Sequence, residues 1–316
     1  FLKLVNLKLK SMRKLLVIGA LIFGMSFTYA QDADAEETPK QGWTKGGTFT
    51  FLINQSAFSN WVAGGQNNIS GTAGINYDFN YLRGEWSWDN KVIASYGLTN
   101  NDDQGTRKTD DRFEYNSLVG KEAFGNWNYS FFLNFRTQFT DGYDYDNDAD
   151  GDFRTSGLFK PAYLTFGPGL EWKKNENLKF NLAPATSKMT FISDDLYIYD
   201  DDIDDFVAHS GPSNINALQA YGIDPGDTFR YELGFYASGY YKFTAMENVT
   251  IENTLNMYSN YLEDPQNVDF DYTLNAILKI NEYLSTNFTL QLVYDDNAVT
   301  ALQLREVFGL GVNFGF

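Results

Sequence analysis

The chain has 316 residues, 43% hydrophobic and 17% aromatic, with no cysteine and a formal charge of −17. Such a length allows one large domain or two ordinary ones. The acidic balance repels phosphate backbones and excludes nucleic-acid binding, and the missing cysteines exclude a disulfide-held fold.

Arg13 and Lys14 precede an apolar run at 15–27, and Thr28-Tyr29-Ala30 supplies small residues before Gln31. Positive residues, a short apolar run and a small-residue cleavage site are the parts of a secretory signal peptide. The run is shorter than the roughly 20 residues of a membrane helix. Residues 1–30 are therefore expected to be a signal peptide, with 1–11 an upstream extension of a start at Met12. Its removal takes away Lys3, Lys8, Lys10, Arg13 and Lys14 and no acid, so the formal charge falls by five, from −17 to −22. Residues 31–42 (QDADAEETPKQG) read as a flexible periplasmic leader.

From residue 43 onward the sequence is all-β. Strands are expected at 43–54, 68–82, 84–98, 109–122, 125–140, 158–174, 177–190, 227–244, 248–261, 267–281, 284–294 and 302–316. The first long loop, 55–67, holds Asn60, Trp61 and Asn67 in a Gly-rich string. These residues suit contact with a sugar or polar solute, and equally a tight loop anchored by Trp61. In 125–140 Trp127, Tyr129, Phe131, Leu133, Phe135 and Phe139 alternate with Asn128, Ser130, Asn134, Arg136 and Gln138. A period of two puts these sets on opposite faces of one strand.

Loop 141–157 carries Asp146, Asp148, Asp150 and Asp152 with Gly151, the opening of a calcium loop. The twelfth position, where that motif wants a bidentate Glu, is Gly157. Calcium and a plain solvated acidic loop both stay open. Pro184 in 177–190 cannot donate to a ladder, so a bulge or an early strand end is expected there. The long loop 191–226 holds a second acidic run, 200–205, and His209, the one histidine. In 267–281 Val268, Phe270, Tyr272, Leu274, Leu278 and Ile280 alternate with Asp269, Asp271, Thr273, Asn275 and Lys279. The last segment continues the pattern with Leu304, Phe308, Leu310, Val312, Phe314 and Phe316. Glu306 alone puts a charge on that apolar face, and is expected near the external end where a charge costs little.

Connections alternate between short and long, as in an up-and-down antiparallel transmembrane β-barrel with short periplasmic turns and longer external loops. By parity Arg136, Arg230, Glu232, Lys242, Glu252, Lys279 and Arg305 face the lumen, with Lys242 diagonal to Glu252. Twelve strands fall between a filled interior and an open channel. An enzyme is not expected, because the single histidine lies on a loop and cannot serve a strand-borne catalytic pair. No cofactor is expected beyond calcium.

The strings 43–47 (WTKGG), 59–65 (SNWVAGG), 88–90 (WDN), 108–111 (KTDD), 134–139 (NFRTQF), 259–267 (SNYLEDPQN) and 294–296 (YDD) together resemble domain-of-unknown-function family 3078. That resemblance, to exported proteins of Bacteroidetes-type bacteria, implies an outer-membrane barrel and brings no activity or ligand. The closing strand likewise resembles that of bacterial outer-membrane barrels, in which the terminal aromatic, here Phe316, signals to the assembly machinery. The expected protein is a monomeric outer-membrane barrel, in contact with lipid and lipopolysaccharide, that passes or binds a small solute. The alternatives are a closed-interior structural or surface-binding barrel with calcium-ordered loops, and a soluble periplasmic carbohydrate-binding β-sandwich.

Overall fold

The computed structural model describes residues 41–57, 67–101, 104–145, 147, 152–193, 195–200, 204–209, 221–281, 283–295 and 299–315. The signal peptide, Asn60, Trp61, Asp146, Asp148, Asp150 and Phe316 lie outside the described residues.

Among the described residues sixteen strands follow one another, beginning with β1 (Gly42–Ser56), β2 (Asn68–Arg83), β3 (Trp86–Asn101), β4 (Gly105–Phe124), β5 (Trp127–Thr137), β6 (Gly142–Tyr143), β7 (Arg154–Ser156) and β8 (Ala162–Asn175). The chain continues with β9 (Leu178–Phe191), β10 (Tyr197–Asp200), β11 (Asp205–Ala208), β12 (Phe229–Met246), β13 (Val249–Asn260), β14 (Asp269–Lys279), β15 (Leu284–Asp295) and β16 (Val299–Gly315). Twelve close into one antiparallel barrel in the order β1-β16-β15-β14-β13-β12-β9-β8-β5-β4-β3-β2. The remaining four form two small hairpins, β6 with β7 and β10 with β11, inside the two longest connections.

Four connections at one end of the barrel are two-residue turns: Gly84-Glu85, Gly125-Asn126, Glu176-Asn177 and Glu247-Asn248. Gly84 and Gly125 both take φ of 57°, the left-handed conformation that tight hairpin turns require. The long connections all lie at the opposite end.

The alternation sorts the faces as expected. Phe49, Phe51, Ile53, Phe131, Leu304, Phe308, Leu310 and Phe314 are exposed on the outside, whereas Glu114, Ser130, Asn181, Glu232 and Gln291 are buried inside. This is the reverse of a water-soluble domain. Aromatic rings cluster toward the short-turn end, where Trp43 lies 5.1 Å from Tyr81 and 5.7 Å from Trp88. Lys121 there lays its ammonium over the Trp86 ring at 5.4 Å. Asn90 is a polar residue among these rings. Its side chain is satisfied by a hydrogen bond from Tyr115 Oη at 2.7 Å and by donation to Phe79 O at 3.1 Å.

Several strand ends differ from expectation. β5 stops at Thr137 and β8 starts only at Ala162. Between them Gly157 and Lys160 exchange backbone hydrogen bonds of 2.7 and 2.9 Å around Phe159, whose φ is 58°. Pro184 marks a bulge: pairing with β12 jumps from Thr186–Gly234 to Ala183–Tyr236, and pairing with β8 from Ser187–Phe166 to Leu182–Leu170. The bulge presses β9 onto β8 so closely that a Cβ at Gly167 or Gly169 would lie 2.6 or 2.5 Å from a β9 carbonyl oxygen. Lys242 pairs directly with Glu252, not diagonally, because a bulge between Thr244 and Met246 shifts the turn. Glu306 is corrected too: it is the eighth of seventeen residues of β16, about mid-strand. It lies past the last β1–β16 rung, Ile53–Leu310.

A small apolar cluster of Ile192, Leu196 and Ile223 lies at the long-loop end, with Ile198 and Tyr221 against it. Phe153 stacks on Phe206 at 4.7 Å beside it. His209 is fully buried here, donating its backbone N–H to Leu196 O at 2.8 Å and placing Nε2 2.9 Å from Asp227 O.

Candidate functional site

Inward-facing charges meet across the barrel. Arg136 on β5 donates from Nη1 to Asp271 Oδ2 on β14 at 3.0 Å. Four strands separate β5 from β14 on one side of the ring and six on the other. The pair therefore spans the lumen almost along a diameter. One arginine and one aspartate are shorter than the width of a round twelve-stranded barrel, so the cross-section is pinched along this line. The contact is held from both sides. Gln291 Nε2 donates to both Asp271 oxygens at 3.0 and 3.1 Å, and the Arg136 guanidinium lies 5.0 Å over the Tyr163 ring.

Lys188, on β9, forms a second bridge. Its ammonium reaches Asp269 at 3.2 Å, Glu232 at 3.3 Å and Asp295 at 3.6 Å, and lies 5.0 Å over the Tyr258 ring. Arg112 pairs with Glu114, which also accepts hydrogen bonds from Asn116 at 2.7 Å and Asn134 at 3.2 Å. Phe132 and Tyr236 stack inside the barrel at 4.4 Å. Toward the short turns, Asp89 meets Lys179 at 3.4 Å and Lys173 at 3.6 Å. Toward the long loops, Arg305 reaches Asp110 on β4 at 2.7 Å.

These bridges leave a cavity of about 100 Å3 at the pinch, lined among others by Arg136, Lys188, Tyr163, Tyr236, Tyr258 and Asp271. Of the charges that line it, Arg136 and Lys188 stand on β5 and β9 and Asp269, Asp271 and Asp295 on β14 and β15, while Glu114 on β4 also lines it and is paired with Arg112. Tyr258 lines the cavity, and its buried hydroxyl has no hydrogen-bond partner among the described residues. A buried hydroxyl left so costs about 1–3 kcal/mol.

The seven charges assigned to the lumen by parity fall into three groups. Arg136, Arg230, Glu232 and Arg305 join the bridging network, with Arg230 reaching Glu232 at 3.2 Å and Glu263 at 2.8 Å. Lys242 and Glu252 form a separate pair at 2.8 Å. Lys279, near the short turns, has no ion-pair partner among the described residues. Lys188 and the partnership of Arg136 with Asp271, 135 residues away, were not legible in the sequence, which gives a residue's face but not what stands opposite. Asn67 and Asp152 are exposed near the long loops, away from the pinch. Among the described residues no group of His, Asp or Glu is arranged to hold a metal.

The long loops carry their own ion pairs. Asp195 accepts Lys160 Nζ at 3.0 Å and pairs with Arg154, which also reaches Asp141 at 3.4 Å. Burial works to raise the Asp195 carboxyl. Hydrogen bonds from Ser193 and Lys160 and the charges of Arg154 and Lys160 outweigh it and hold the group below the usual carboxylate range. On a two-residue turn at the other end, Glu176 lies 2.7 Å from Lys173 and 2.8 Å from Lys179. Desolvation by its neighbours opposes its ionisation, but the two lysines outweigh it and bring its pKa down to about 2.

Residues 53–143 match the model of a family described as protein of unknown function, DUF3078. The family resemblance read from local strings holds over that stretch. No curated protein matches the chain. Among solved structures, an outer membrane channel from Pseudomonas putida F1 aligns at 10% identity and a TM-score of 0.37, over 90% of this chain and 98% of that one. The translocator domain of the autotransporter NalP from Neisseria meningitidis aligns at 9% and 0.33, over 89% and 90%. A NanC porin gives 9% and 0.33, over 85% and 97%. The barrel itself rests on this chain's own strand pairing, which closes without them.

Proposed function

We propose that the protein is an outer-membrane β-barrel, exported by its signal peptide, whose narrow interior is a path for small solutes latched by ion pairs across the lumen. The apolar outer face supports the membrane setting. A belt containing Phe49, Phe51, Phe131, Phe308, Leu310 and Phe314 would be unfavourable in water and is what hydrocarbon solvates. The short turns then face the periplasm and the long loops the exterior. No helix among the described residues is long and apolar enough to cross a membrane, so strands do the spanning in this reading. His209 packs with the long loops and has a structural role here.

The observation that carries the solute path is the cavity left at the Arg136–Asp271 pinch, lined by charged and tyrosine side chains. Ionic side chains that met only to fill space would be out-competed by apolar packing, since a buried pair is often no better than its hydrophobic replacement. A second reading draws on the same bridges. They close the lumen permanently, and surface binding passes to the external loops, where the acidic string with Asp146, Asp148, Asp150 and Asp152 would take calcium. Membrane fractionation, heat-dependent gel mobility and current across a planar bilayer test the proposal together. A detergent-extracted, heat-modifiable barrel that conducts supports it; a heat-modifiable barrel silent under all voltages, whose loops gain protease protection with calcium, favours the second reading. A protein released without detergent refutes both.

A further inference from the structure

We propose that the pinch is a binding site for a small zwitterion, a molecule carrying a carboxylate and an ammonium on one short carbon frame, as an α-amino acid does. The inference rests on the solute-path reading above and names the solute class of that path.

Three observations carry it. Arg136 and Lys188 face Asp269, Asp271 and Asp295 across the cavity, and the one further charge that lines it, Glu114, is already paired with Arg112. The ions of the two walls are already paired with each other, at 3.0 Å for Arg136–Asp271 and 3.2 Å for Lys188–Asp269. On β13, in register with Asp269 and with the Lys188 ammonium 5.0 Å over its ring, Tyr258 has a buried hydroxyl with no hydrogen-bond partner among the described residues. The cavity, of about 100 Å3, holds several waters or one small molecule.

An entering solute must part Arg136 from Asp271 to cross the pinch. An uncharged solute leaves both ions short of a partner at the pinch, and a simple anion or cation leaves one of them so. Each uncompensated ion there is costly. A zwitterion exchanges partners instead. Its carboxylate takes the guanidinium of Arg136, and its ammonium takes the carboxylate of Asp271. Every charge stays paired throughout, so the same latch that rejects other solutes admits this class. The discrimination comes from what the wrong solute leaves unsatisfied.

Proteoliposomes containing the refolded chain would be tested for entry of alanine (zwitterion), lactamide (uncharged and of nearly equal size) and lactate (anion). Alanine is expected to enter at least about tenfold faster than lactamide, the ratio for 1.4 kcal/mol of discrimination. Asp271→Asn, which frees Arg136 of its counter-ion, is expected to reverse the order of alanine and lactate. Arg136→Gln with Asp271→Asn is expected to pass alanine and lactamide alike. Equal entry of alanine and lactamide through the unaltered protein overturns the zwitterion site while leaving a solute path in place. No entry of any probe through either the unaltered or the doubly substituted barrel, with heat-modifiable mobility showing both folded, overturns the solute path itself. The comparison of probes through the unaltered protein needs no variant, so a substitution that fails to fold does not blunt the test.

Discussion

A single ion pair sets the character of the interior. Arg136 and Asp271 come from nearly opposite walls, and the pair leaves the mostly buried Asp271 carboxylate with a counter-charge. Replacing one leaves the other short of a partner in a confined space, whereas removing both leaves no uncompensated charge. Arg136→Ala is therefore expected to destabilise the refolded barrel in micelles by about 1–3 kcal/mol, and Arg136→Ala with Asp271→Ala by less. Urea unfolding of the three proteins checks this, and a double variant weaker than the single would contradict it. The bulge at Pro184 makes a second residue-scale demand. Gly169→Val would drive a side chain into the Leu182 carbonyl, 2.5 Å from where its Cβ must sit. That variant should lose the heat-modifiable folded band, while Gly226→Val, whose Cβ position meets nothing within 4 Å, tests whether bulk alone is to blame. Gly226 has φ of 88°, so some loss from backbone strain is expected there, but not loss of the barrel. The face of each lumen charge was legible because a strand alternates strictly. Its partner was not, because pairing across a barrel depends on ring position and shear, which no local pattern encodes.

At the scale of elements, the twelve barrel strands could be read from alternation and from short and long connections. The strand ends could not. Residues 158–161 continue an apolar run with the strand that follows, yet a turn around Phe159 and the rung between Gly157 and Lys160 take them out of the sheet. The hairpins β6/β7 and β10/β11 escaped notice because two- to four-residue strands are too short to show a period. They matter for the loops, where Asp195 ties β7 to the segment before β10. An aspartate titrates near 3.9 in an unfolded chain, and Asp195 is held lower in the folded loops. Its contribution is thus fully present above about pH 4 and is lost as the pH falls through the lowered folded value. Protease protection of the 154–160 segment should accordingly persist at about pH 5 and fail only in stronger acid. Loss of protection already at neutral pH, or Asp195→Asn with unchanged acid sensitivity, would show that other contacts order these loops.

For the whole molecule, polarity is turned inside out, with aromatic and aliphatic side chains outward and a web of ions within. That inversion is written in the period of two, and a family model covering 53–143 agrees with the resemblance found in local strings. What the sequence left undecided was whether the lumen is open or filled. Strand number stands between the two cases, and the answer depends on bridges such as Arg136–Asp271, Lys188–Asp269 and Arg305–Asp110. The structure's interior is bridged at several levels yet keeps a cavity at its pinch. The most direct test is single-channel current across a planar bilayer, recorded for the refolded protein and for Arg136→Ala with Asp271→Ala. A latched path predicts small, brief openings in the first and larger, longer ones in the second. Identical records from the two, or silence from both folded proteins, would contradict it.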